Sequence, residues 1–193
     1  MARSQPALST ARLQLLPPEA AWARAVRDYQ LRNREHLAPW DPTHGDMYFT
    51  ELFWGMRLRE RIEDFKLGRG AMFLVMHDKQ PGQVIGTLTL SNIVRGVFQA
   101  CHLGYNIDHA YQGQGMMSEA VEAVVQFAFR DLGLHRVQAN YQPENQRSAR
   151  LLAKLGFTIE GEAKDYLFLN GAWRDHVLTS RRNPDFDSTP LRA

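Results

Sequence analysis

The chain has 193 residues, enough for one well-packed core and too few for two comfortable domains. Its 23 basic and 21 acidic side chains leave a formal net charge of +2, so the overall charge gives no reason to expect a nucleic-acid partner. The single cysteine, Cys101, excludes an intrachain disulfide and a cysteine-rich metal site, and the spacing of the seven histidines indicates no metal.

The N-terminal residues 1–14 are polar and contain a proline, without the apolar run of a secretory signal. The most apolar stretch, 120–129, is interrupted by Glu122 and Gln126 and is too short to span a bilayer. We therefore expect a cytoplasmic protein that does not enter a membrane.

The first half of the chain predicts a short strand and two helices, followed by a three-stranded meander. The strand covers 13–16, and apolar residues at helical spacing predict helices over 19–36 and 51–67, with a loop over 39–45 between them. The strands of the meander are predicted at 71–77, 84–93 and 98–107.

The second half contains the strongest helical pattern, over 116–132, in which apolar side chains line one stripe. A strand at 136–141 and a helix at 145–155 follow. The last elements are a hairpin of strands 157–169 and 176–180 that turns at Asn170-Gly171, and a polar tail over 183–193 that we expect to be flexible.

Together these elements predict one mixed α/β domain over 1–193. No internal repeat, low-complexity tract or linker divides the chain. The strand–helix–strand unit at 98–141 predicts a right-handed crossover that joins two parallel strands.

A glycine-containing loop, 111–117 (YQGQGMM), lies between the third meander strand and the strongest helix. Free N–H groups at a helix start carry partial positive charge, and Gly113 and Gly115 let an anion approach the backbone. The loop predicts a phosphate or pyrophosphate site, and an ordinary connection that caps a structural helix explains the two glycines equally well. A P-loop is disfavoured because Met116-Met117 stand where it needs Lys-Ser/Thr, and a Rossmann loop because Ser118 stands where it needs a third Gly or Ala.

The segment around this loop, LGYNIDHAYQGQGMMSEA (103–120), resembles the acetyl-CoA motif of the GNAT superfamily of N-acetyltransferases, whose form is Gln/Arg-x-x-Gly-x-Gly/Ala. Gly113 and Gly115 match that form. Ala110 departs from it at the leading position, where the side chain varies and the backbone does the binding. Further segments resemble the RimJ-type ribosomal-protein-alanine N-acetyltransferases, and this resemblance extends over about 45–190. They are SNIVRG (91–96), HRVQANYQPENQRSARLLAKLGF (135–157) and EGEAKDYLFLNGAWRDHVL (160–178).

The resemblance implies the GNAT fold: a single mixed, mostly antiparallel sheet flanked by helices, in which the strands before and after the motif helix splay apart. Acetyl-CoA, the co-substrate, would lie in that gap, with its pyrophosphate on the loop backbone and its thioester carbonyl facing a backbone N–H near Gly104 or Tyr105. Arg147, Arg150 and Lys154 form a basic helix face that could meet the nucleotide phosphate, and a solvated face explains them equally well. The cofactor-binding residues implied in this way are Leu103, Gly104, Tyr105, Ile107, Gln112, Gly113, Gln114, Gly115, Met116, Met117, Asn140, Asn145, Ser148 and Leu152.

The spacing Asn145-x-x-Ser148 at the start of a predicted helix has two interpretations. Asn145 can act as an N-cap with Ser148 as a small first-turn residue, and this requires no ligand. The resemblance implies instead that Asn145 contacts pantetheine and that Ser148 lies near the CoA sulfur, where it protonates the departing thiolate.

The identity of the general base is open; the candidates in the closing hairpin are Glu160, Glu162, Asp165, Tyr166, Asp175 and His176. We favour Glu160 as the base or as a group that orients water, and we interpret Asp175 as structural. Glu160, Glu162 and Tyr166 share one face of the strand if no bulge intervenes. Because an α-amino group has a pKa of about 7.7–8.0, a weak base or a water chain is also sufficient. The residues predicted to bind the acceptor are Asn92, Arg95 and Tyr166.

These expectations describe an acetyl-CoA-dependent N-acetyltransferase that acts by direct attack in a ternary complex. Its acceptor would be the N-terminal α-amino group of a ribosomal protein that begins with Ala or Ser. Two alternatives stay open: an enzyme that acetylates a small amine, such as a polyamine, an amino sugar or an antibiotic, and a non-catalytic acyl-CoA-binding assembly factor. No direct contact with nucleic acid is required, and the sequence is compatible with a monomer or a dimer.

Overall fold

The computed structural model describes residues 4–191, which form one sheet with helices on both faces. The strands are β1 (Leu8–Ser9), β2 (Leu13–Leu16), β3 (Ala71–His77), β4 (Val84–Val94), β5 (Ala100–Ile107), β6 (Arg136–Gln138), β7 (Thr158–Leu169) and β8 (Ala172–Arg182). The helices are α1 (Ala23–Arg32), α2 (Arg34–Leu37), α3 (Glu51–Lys66), α4 (Met116–Arg130) and α5 (Gln146–Lys154), with short 3-10 turns between some of them.

The strands lie in the order β1-β2-β3-β4-β5-β6-β8-β7. Neighbouring strands are antiparallel except for β5 and β6, which are parallel and are connected through α4. The predicted mixed, mostly antiparallel sheet with one parallel strand pair is therefore confirmed.

The parallel pair separates soon after it forms. β5 and β6 are paired only through residues 100–102 and 136–138. β6 ends at Gln138, before the end of the predicted strand, but the chain stays beside β8, where the N–H of Ala139 donates to the carbonyl of Thr179 at 3.0 Å. β5 continues to Ile107 without a partner on this side, so a gap opens between the two chains.

Two hydrophobic cores hold the helices against the sheet. α4 and α5 pack on one face, where Val124 of α4 meets a cluster that includes Phe73 of β3. α1 and α3 pack on the other face, where Leu58 of α3 belongs to a cluster with Leu74 of β3. Because successive side chains of a strand point to opposite faces, β3 serves both cores, which explains its unbroken apolar sequence.

The first predicted helix is interrupted at Asn33, which separates α1 from α2. Asn33 is 1% exposed; its side-chain amide donates to the carbonyl of Tyr29 at 3.0 Å and accepts from the N–H of His109 at 2.9 Å. The spacing of apolar residues carries no information about such a tertiary contact, so the sequence predicted one continuous helix.

The closing hairpin is longer than predicted, because its second strand covers Ala172–Arg182 rather than 176–180. Its turn is confirmed: Asn170 and Gly171 both have positive φ, at 52° and 75°, as a two-residue hairpin turn requires. The short strand β1 was not predicted. Residues 1–3 and 192–193, parts of the predicted polar N-terminal segment and of the predicted tail, lie outside the described residues.

None of the helices between residues 4 and 191 combines the length and the apolar character needed to cross a membrane.

Candidate active site

The glycine loop between β5 and α4 has the geometry of an anion site. Gly113 and Gly115 have φ of 72° and 78°, a left-handed conformation that side chains with a Cβ disfavour. A Cβ on Gly113 would meet no atom within 4 Å, so the approach to the loop backbone is open. The backbone N–H groups of residues 113–118 have no acceptor in the part of the chain that the structure describes, and they lie at the positive end of α4.

Side chains from the connection between β1 and β2 hold this loop in place. Arg12 contacts Glu119 of α4, with Nε 2.9 Å from the carboxylate, and its Nη1 donates to the carbonyl of Gln114 at 3.0 Å. Thr10 also donates to Glu119. Burial by itself would raise the pKa of Glu119, but the hydrogen bonds from Thr10 and Arg12 outweigh it and hold this pKa below its ordinary value.

A second brace connects the loop to α1. Arg32 donates to the Asp108 carboxylate at 2.6 Å, and the same carboxylate accepts from the N–H of Ala110 at 2.9 Å. Burial by itself would raise the pKa of Asp108, but the hydrogen bonds to its carboxylate and the charge of Arg32 outweigh that effect. The net pKa lies below the ordinary aspartate value, so the group stays ionised. The backbone that would hold an anion is thus fixed from both sides.

A cavity of about 1090 Å³ runs from the glycine loop through the gap between β5 and β6. Beyond residue 102, β5 is paired with β4 on one edge only, so backbone groups on its other edge face the cavity. The predicted cofactor-binding residues that line this cavity are Leu103, Gly104, Tyr105, Ile107, Gln112, Gly113, Gly115, Met116, Met117, Asn140, Asn145 and Ser148.

Two of the predicted cofactor-binding residues do not line the cavity. The side chain of Gln114 folds back and donates to the carbonyl of Ala110 at 2.9 Å. Leu152 is 1% exposed and belongs to the core beneath α5. Both lie next to the cavity wall without forming it.

Ser148 lies in the cavity with its hydroxyl 2.5 Å from the hydroxyl of Tyr105. Its N–H donates to the Oδ1 of Asn145 at 3.1 Å, so Asn145 caps α5 as one interpretation predicted, and it lines the cavity as well. Burial raises the pKa of Tyr105 to about 12, so its hydroxyl remains protonated at neutral pH and can donate to Ser148.

The structure does not bring Glu160 to this cavity. Glu160 contacts Arg136 and accepts from the hydroxyl of Ser180 at 2.7 Å, at the end of β6 away from the gap. The hydrogen bond from Arg136 lowers the pKa of Glu160, which makes it a weaker base. Bulges in β7 near Gly161 and after Ala163 break the side-chain alternation on which the prediction depended.

The predicted acceptor residues also lie outside the cavity. Asn92 sits at the irregular end of β4 with φ of 50°, and Arg95 donates to the carbonyl of Leu132 at 2.7 Å, both remote from the glycine loop. Tyr166 lies just behind the wall: its hydroxyl accepts from the Asn140 amide at 3.0 Å, and its ring is 5.3 Å from that of His176. Tyr166 can therefore position cavity residues without touching an acceptor.

Asp175, interpreted from the sequence as structural, accepts from the N–H of Asp165 at 3.0 Å and from the Lys164 ammonium at 2.7 Å. Asp165 has φ of 49° within the β7 bulge. Asp175 therefore fixes an irregular part of the hairpin.

Part of the cavity wall is formed by a segment that the sequence identified only as a loop. Residues 38–43 are held by Asn170, whose amide donates to the carbonyl of Ala38 at 2.6 Å and accepts from Thr43 at 3.0 Å. Burial raises the pKa of the Asp41 carboxyl to about 6. Further residues that line the cavity are Trp40, Asp41, Pro42, Thr87, Thr89, Asn106, Leu167, Leu169 and His176, of which only His176 was among the candidates named from the sequence.

Basic side chains lie at the glycine-loop end of the cavity. Arg147, Arg150 and Lys154 of α5 all line it, as the sequence suggested for a nucleotide phosphate. Arg147 contacts the side chain of Gln112, whose amide nitrogen lies 2.7 Å from the Nε2 of His36. Within residues 4–191 no group of His, Cys, Asp and Glu side chains could hold a metal ion.

Comparison with known proteins agrees with this geometry. The model of the acetyltransferase (GNAT) domain family matches residues 12–158. The chain is similar to the [ribosomal protein uS5]-alanine N-acetyltransferase of Escherichia coli K12, with 43% identity over 187 residues that cover 96% of this chain and 94% of the relative. It is also similar to the crystal structure of the ribosomal-protein-S5-alanine acetyltransferase from Vibrio fischeri, with a TM-score of 0.90 and 40% identity over 95% of this chain and 100% of that one. Mycobacterium smegmatis RimJ in complex with CoA-disulfide matches with a TM-score of 0.85 and 28% identity, over 98% and 91% of the two chains.

Proposed function

The chain belongs to the GNAT family of acetyltransferases, and on that premise we propose that it moves an acetyl group from acetyl-CoA to the N-terminal α-amino group of a ribosomal protein. The observation that carries this proposal is one continuous cavity. It is lined by the glycine loop, by the residues at the gap between β5 and β6, and by the loop 38–43, where an acceptor amine could bind. A ternary complex needs such a path, because the amine must reach the thioester carbon directly.

The residues at the loop end of the cavity fit acetyl-CoA. Unpartnered N–H groups of residues 113–118 suit its pyrophosphate, and the free edge of β5 suits the amides of pantetheine. Arg147, Arg150 and Lys154 supply positive charge for the remaining phosphate. Mycobacterium smegmatis RimJ, similar along almost the whole chain, was solved with a CoA disulfide.

Ser148 and Tyr105 supply the acid for the reaction. When the amine nitrogen bonds to the thioester carbon and the carbon–sulfur bond breaks, the leaving thiolate needs a proton. Ser148 would give it, and the protonated Tyr105 hydroxyl at 2.5 Å would replace it. Backbone N–H groups on β5 near Gly104 would stabilise the negative oxygen of the tetrahedral intermediate.

The acceptor assignment is supported by the relatives in Escherichia coli and Vibrio fischeri, which are named for acetylating alanine of ribosomal protein uS5 (S5). An acceptor beginning with a small residue, Ala or Ser, is the corresponding proposal for this chain. An α-amino group also requires less of the enzyme than lysine does, since its pKa of about 7.7–8.0 leaves part of it neutral near pH 7.

The test is an acetylation assay with purified protein, acetyl-CoA and three acceptor sets, read by thiol release and by mass. The sets are peptides with free N-terminal Ala or Ser taken from ribosomal proteins, the same peptides with blocked N-termini and an internal lysine, and small amines such as a polyamine and an amino sugar. We expect a single acetyl group on the free N-terminal peptides only. Acetylation of the small amines alone would refute the ribosomal acceptor, and thiol release from none would refute transfer to an amine.

A further inference from the structure

The cavity contains one partly buried acidic group that no step above uses. We propose that Asp41 binds the α-ammonium group of the acceptor and takes its proton before the amine attacks the thioester. This inference rests on the proposed function and assigns the base that Glu160 cannot provide from its position.

Asp41 lies in the same cavity as the proposed acid, on a different segment of the chain. Asp41 belongs to the loop 38–43 and lines the cavity together with Thr87, Thr89 and Asn106, whereas Ser148 belongs to α5. It also lines a smaller adjoining pocket of about 150 Å³ with Pro42 and Tyr48. An amine bound beside Asp41 would therefore share one cavity with a thioester held in the gap between the strands.

The carboxylate of Asp41 has no partner of its own. No hydrogen bond or ion pair to this carboxylate occurs among residues 4–191, although the backbone N–H of Asp41 donates to the carbonyl of Leu37 at 3.1 Å. Burying an ionisable group without a partner is costly, so such groups persist where a ligand supplies the partner. A positively charged amine is the ligand chemistry that a lone carboxylate selects.

The loop that carries Asp41 is held rigidly enough to position it. Ala38 and Thr43, on either side of Asp41, are hydrogen-bonded to Asn170 at the hairpin turn. The side chain of Gln142 reaches the carbonyl of Pro39 at 3.4 Å from the connection before α5. The loop therefore connects the hairpin to the segment that leads to Ser148.

The other carboxylates considered for this role are either paired with a basic side chain or exposed to solvent. Asp108 is bound by Arg32, Asp175 by Lys164, and Glu160 by Arg136. Glu144 lines the cavity but is exposed. Of the two carboxylates of residues 4–191 that line the cavity, Asp41 is the partly buried one.

The protons gained and lost in the proposed reaction balance. The ammonium gives one proton to the Asp41 carboxylate, and the nitrogen lone pair forms the carbon–nitrogen bond. As the carbon–sulfur bond breaks, the thiolate takes a proton from Ser148, which Tyr105 resupplies. The nitrogen loses its second proton to water as the amide forms, and Asp41 and Tyr105 exchange protons with water between turnovers.

The electrostatics around Asp41 fit this role. Its carboxyl has a pKa of about 6, raised by burial, which is closer to that of an α-ammonium than an ordinary carboxyl would be. None of the charged groups around it pairs with it. The titratable and charged side chains that line the same cavity or the adjoining pocket, or that interact electrostatically with it, are Tyr29, Arg34, His36, His44, Tyr48, Tyr105, Tyr111, Tyr141, Glu144, Arg147, Arg150, Lys154 and His176.

The test compares wild-type enzyme with Asp41→Asn on an Ala-terminated peptide, with kcat and KM measured from pH 5.5 to 9.5. At pH 7 we expect kcat/KM to fall roughly 100-fold, with CoA affinity unchanged. The wild-type profile should rise as Asp41 loses its proton, whereas that of Asp41→Asn should rise only as the amine itself becomes neutral near pH 8. The deficit should therefore shrink at high pH, which a merely structural defect would not do.

Three further variants keep this test decisive. Asp41→Glu should retain part of the activity, and its kcat/KM should still rise with pH as the carboxyl group loses its proton. This variant replaces Asp41→Asn in the test if Asp41→Asn folds poorly. Asp46→Asn is the matched control, because Asp46 lies in the same region with a fully exposed side chain; its profile should equal that of the wild type. A wild-type profile in Asp41→Asn, or the same shift in Glu144→Gln instead, would overturn the proposal. If the wild type itself acetylates no N-terminal peptide, the proposed function fails before any variant is compared.

Discussion

The hydroxyl of Tyr105 on β5 lies 2.5 Å from the hydroxyl of Ser148 on α5, across the gap where the parallel strands separate. Burial keeps the Tyr105 hydroxyl protonated, so the pair can pass a proton toward a group in the gap.

If the two hydroxyls act as a relay, their substitutions should not add. We expect Ser148→Ala to lower kcat roughly 100-fold and Tyr105→Phe roughly 10-fold, with the KM for acetyl-CoA unchanged. The double variant should be no slower than Ser148→Ala alone, because the first change already removes the proton donor. Steady-state kinetics on all four enzymes measures this, and multiplicative losses would mean that the two hydroxyls act independently.

The glycine loop can be tested with a matched pair of glycines. Gly113→Val should abolish detectable CoA binding, because a branched side chain would occupy the open approach to the loop. Gly133→Val is the control: Gly133 also has positive φ, at 62°, with no atom near its would-be Cβ, and it does not line the cavity. Both changes place a side chain in a left-handed conformation, at a cost of about 1–2 kcal/mol or more. Calorimetric titration with CoA should separate the variants; equal affinities would exclude the loop as the phosphate site.

The contact between Arg12 and Glu119 predicts an acid-sensitive stability. The folded-state pKa of Glu119 is lowered, so this interaction stabilises the protein above the ordinary glutamate pKa and is lost as the pH falls through and below it. Glu119→Gln should therefore lower the melting temperature at pH 7. Thermal melts between pH 3 and pH 7 should show this difference narrowing toward acid pH, and a difference that is constant with pH would argue against an ionic contribution.

Asp41 should behave in the opposite way. Its folded-state pKa is raised, so its ionised form destabilises the protein once the pH exceeds the ordinary aspartate value, and this penalty is complete above about pH 6. Asp41→Asn should increase the unfolding free energy at pH 7, by on the order of 1–3 kcal/mol. The gain should fade between pH 6 and pH 4 in denaturant titrations. A variant that is less stable than the wild type at pH 7 would mean that the carboxylate has a favourable partner.

Glu160→Gln tests the corrected assignment. Because Glu160 contacts Arg136 and Ser180 outside the cavity, the pH dependence of kcat should not move in this variant. A shift of the profile to higher pH would restore Glu160 to the mechanism.

Local pattern was sufficient for most elements and for the loop end of the site. The helical stripe over 116–130, the positive φ at Asn170 and Gly171, and the two glycines before α4 are all short-range features that the sequence carries directly. The resemblance to a family added the splayed strands, which no periodicity could have revealed.

The acceptor side depended on contacts that are distant in sequence. Asp41 lines the same cavity as residues of β4 and β5, and its loop is held there by Asn170, which is far along the chain. Glu160 was displaced from the expected face by a bulge at Gly161, and a single extra residue reverses every side chain beyond it. Such effects lie in tertiary packing, so the base could not be identified from one sequence.

The most direct test is a crystal structure of the enzyme with CoA and an Ala-terminated peptide. We expect the pyrophosphate on the N–H groups of residues 113–118, the sulfur within hydrogen-bonding distance of Ser148, and the peptide nitrogen on the Asp41 side of the gap. A CoA bound elsewhere, with the N–H groups of the glycine loop making no contact to phosphate, would contradict the proposed chemistry.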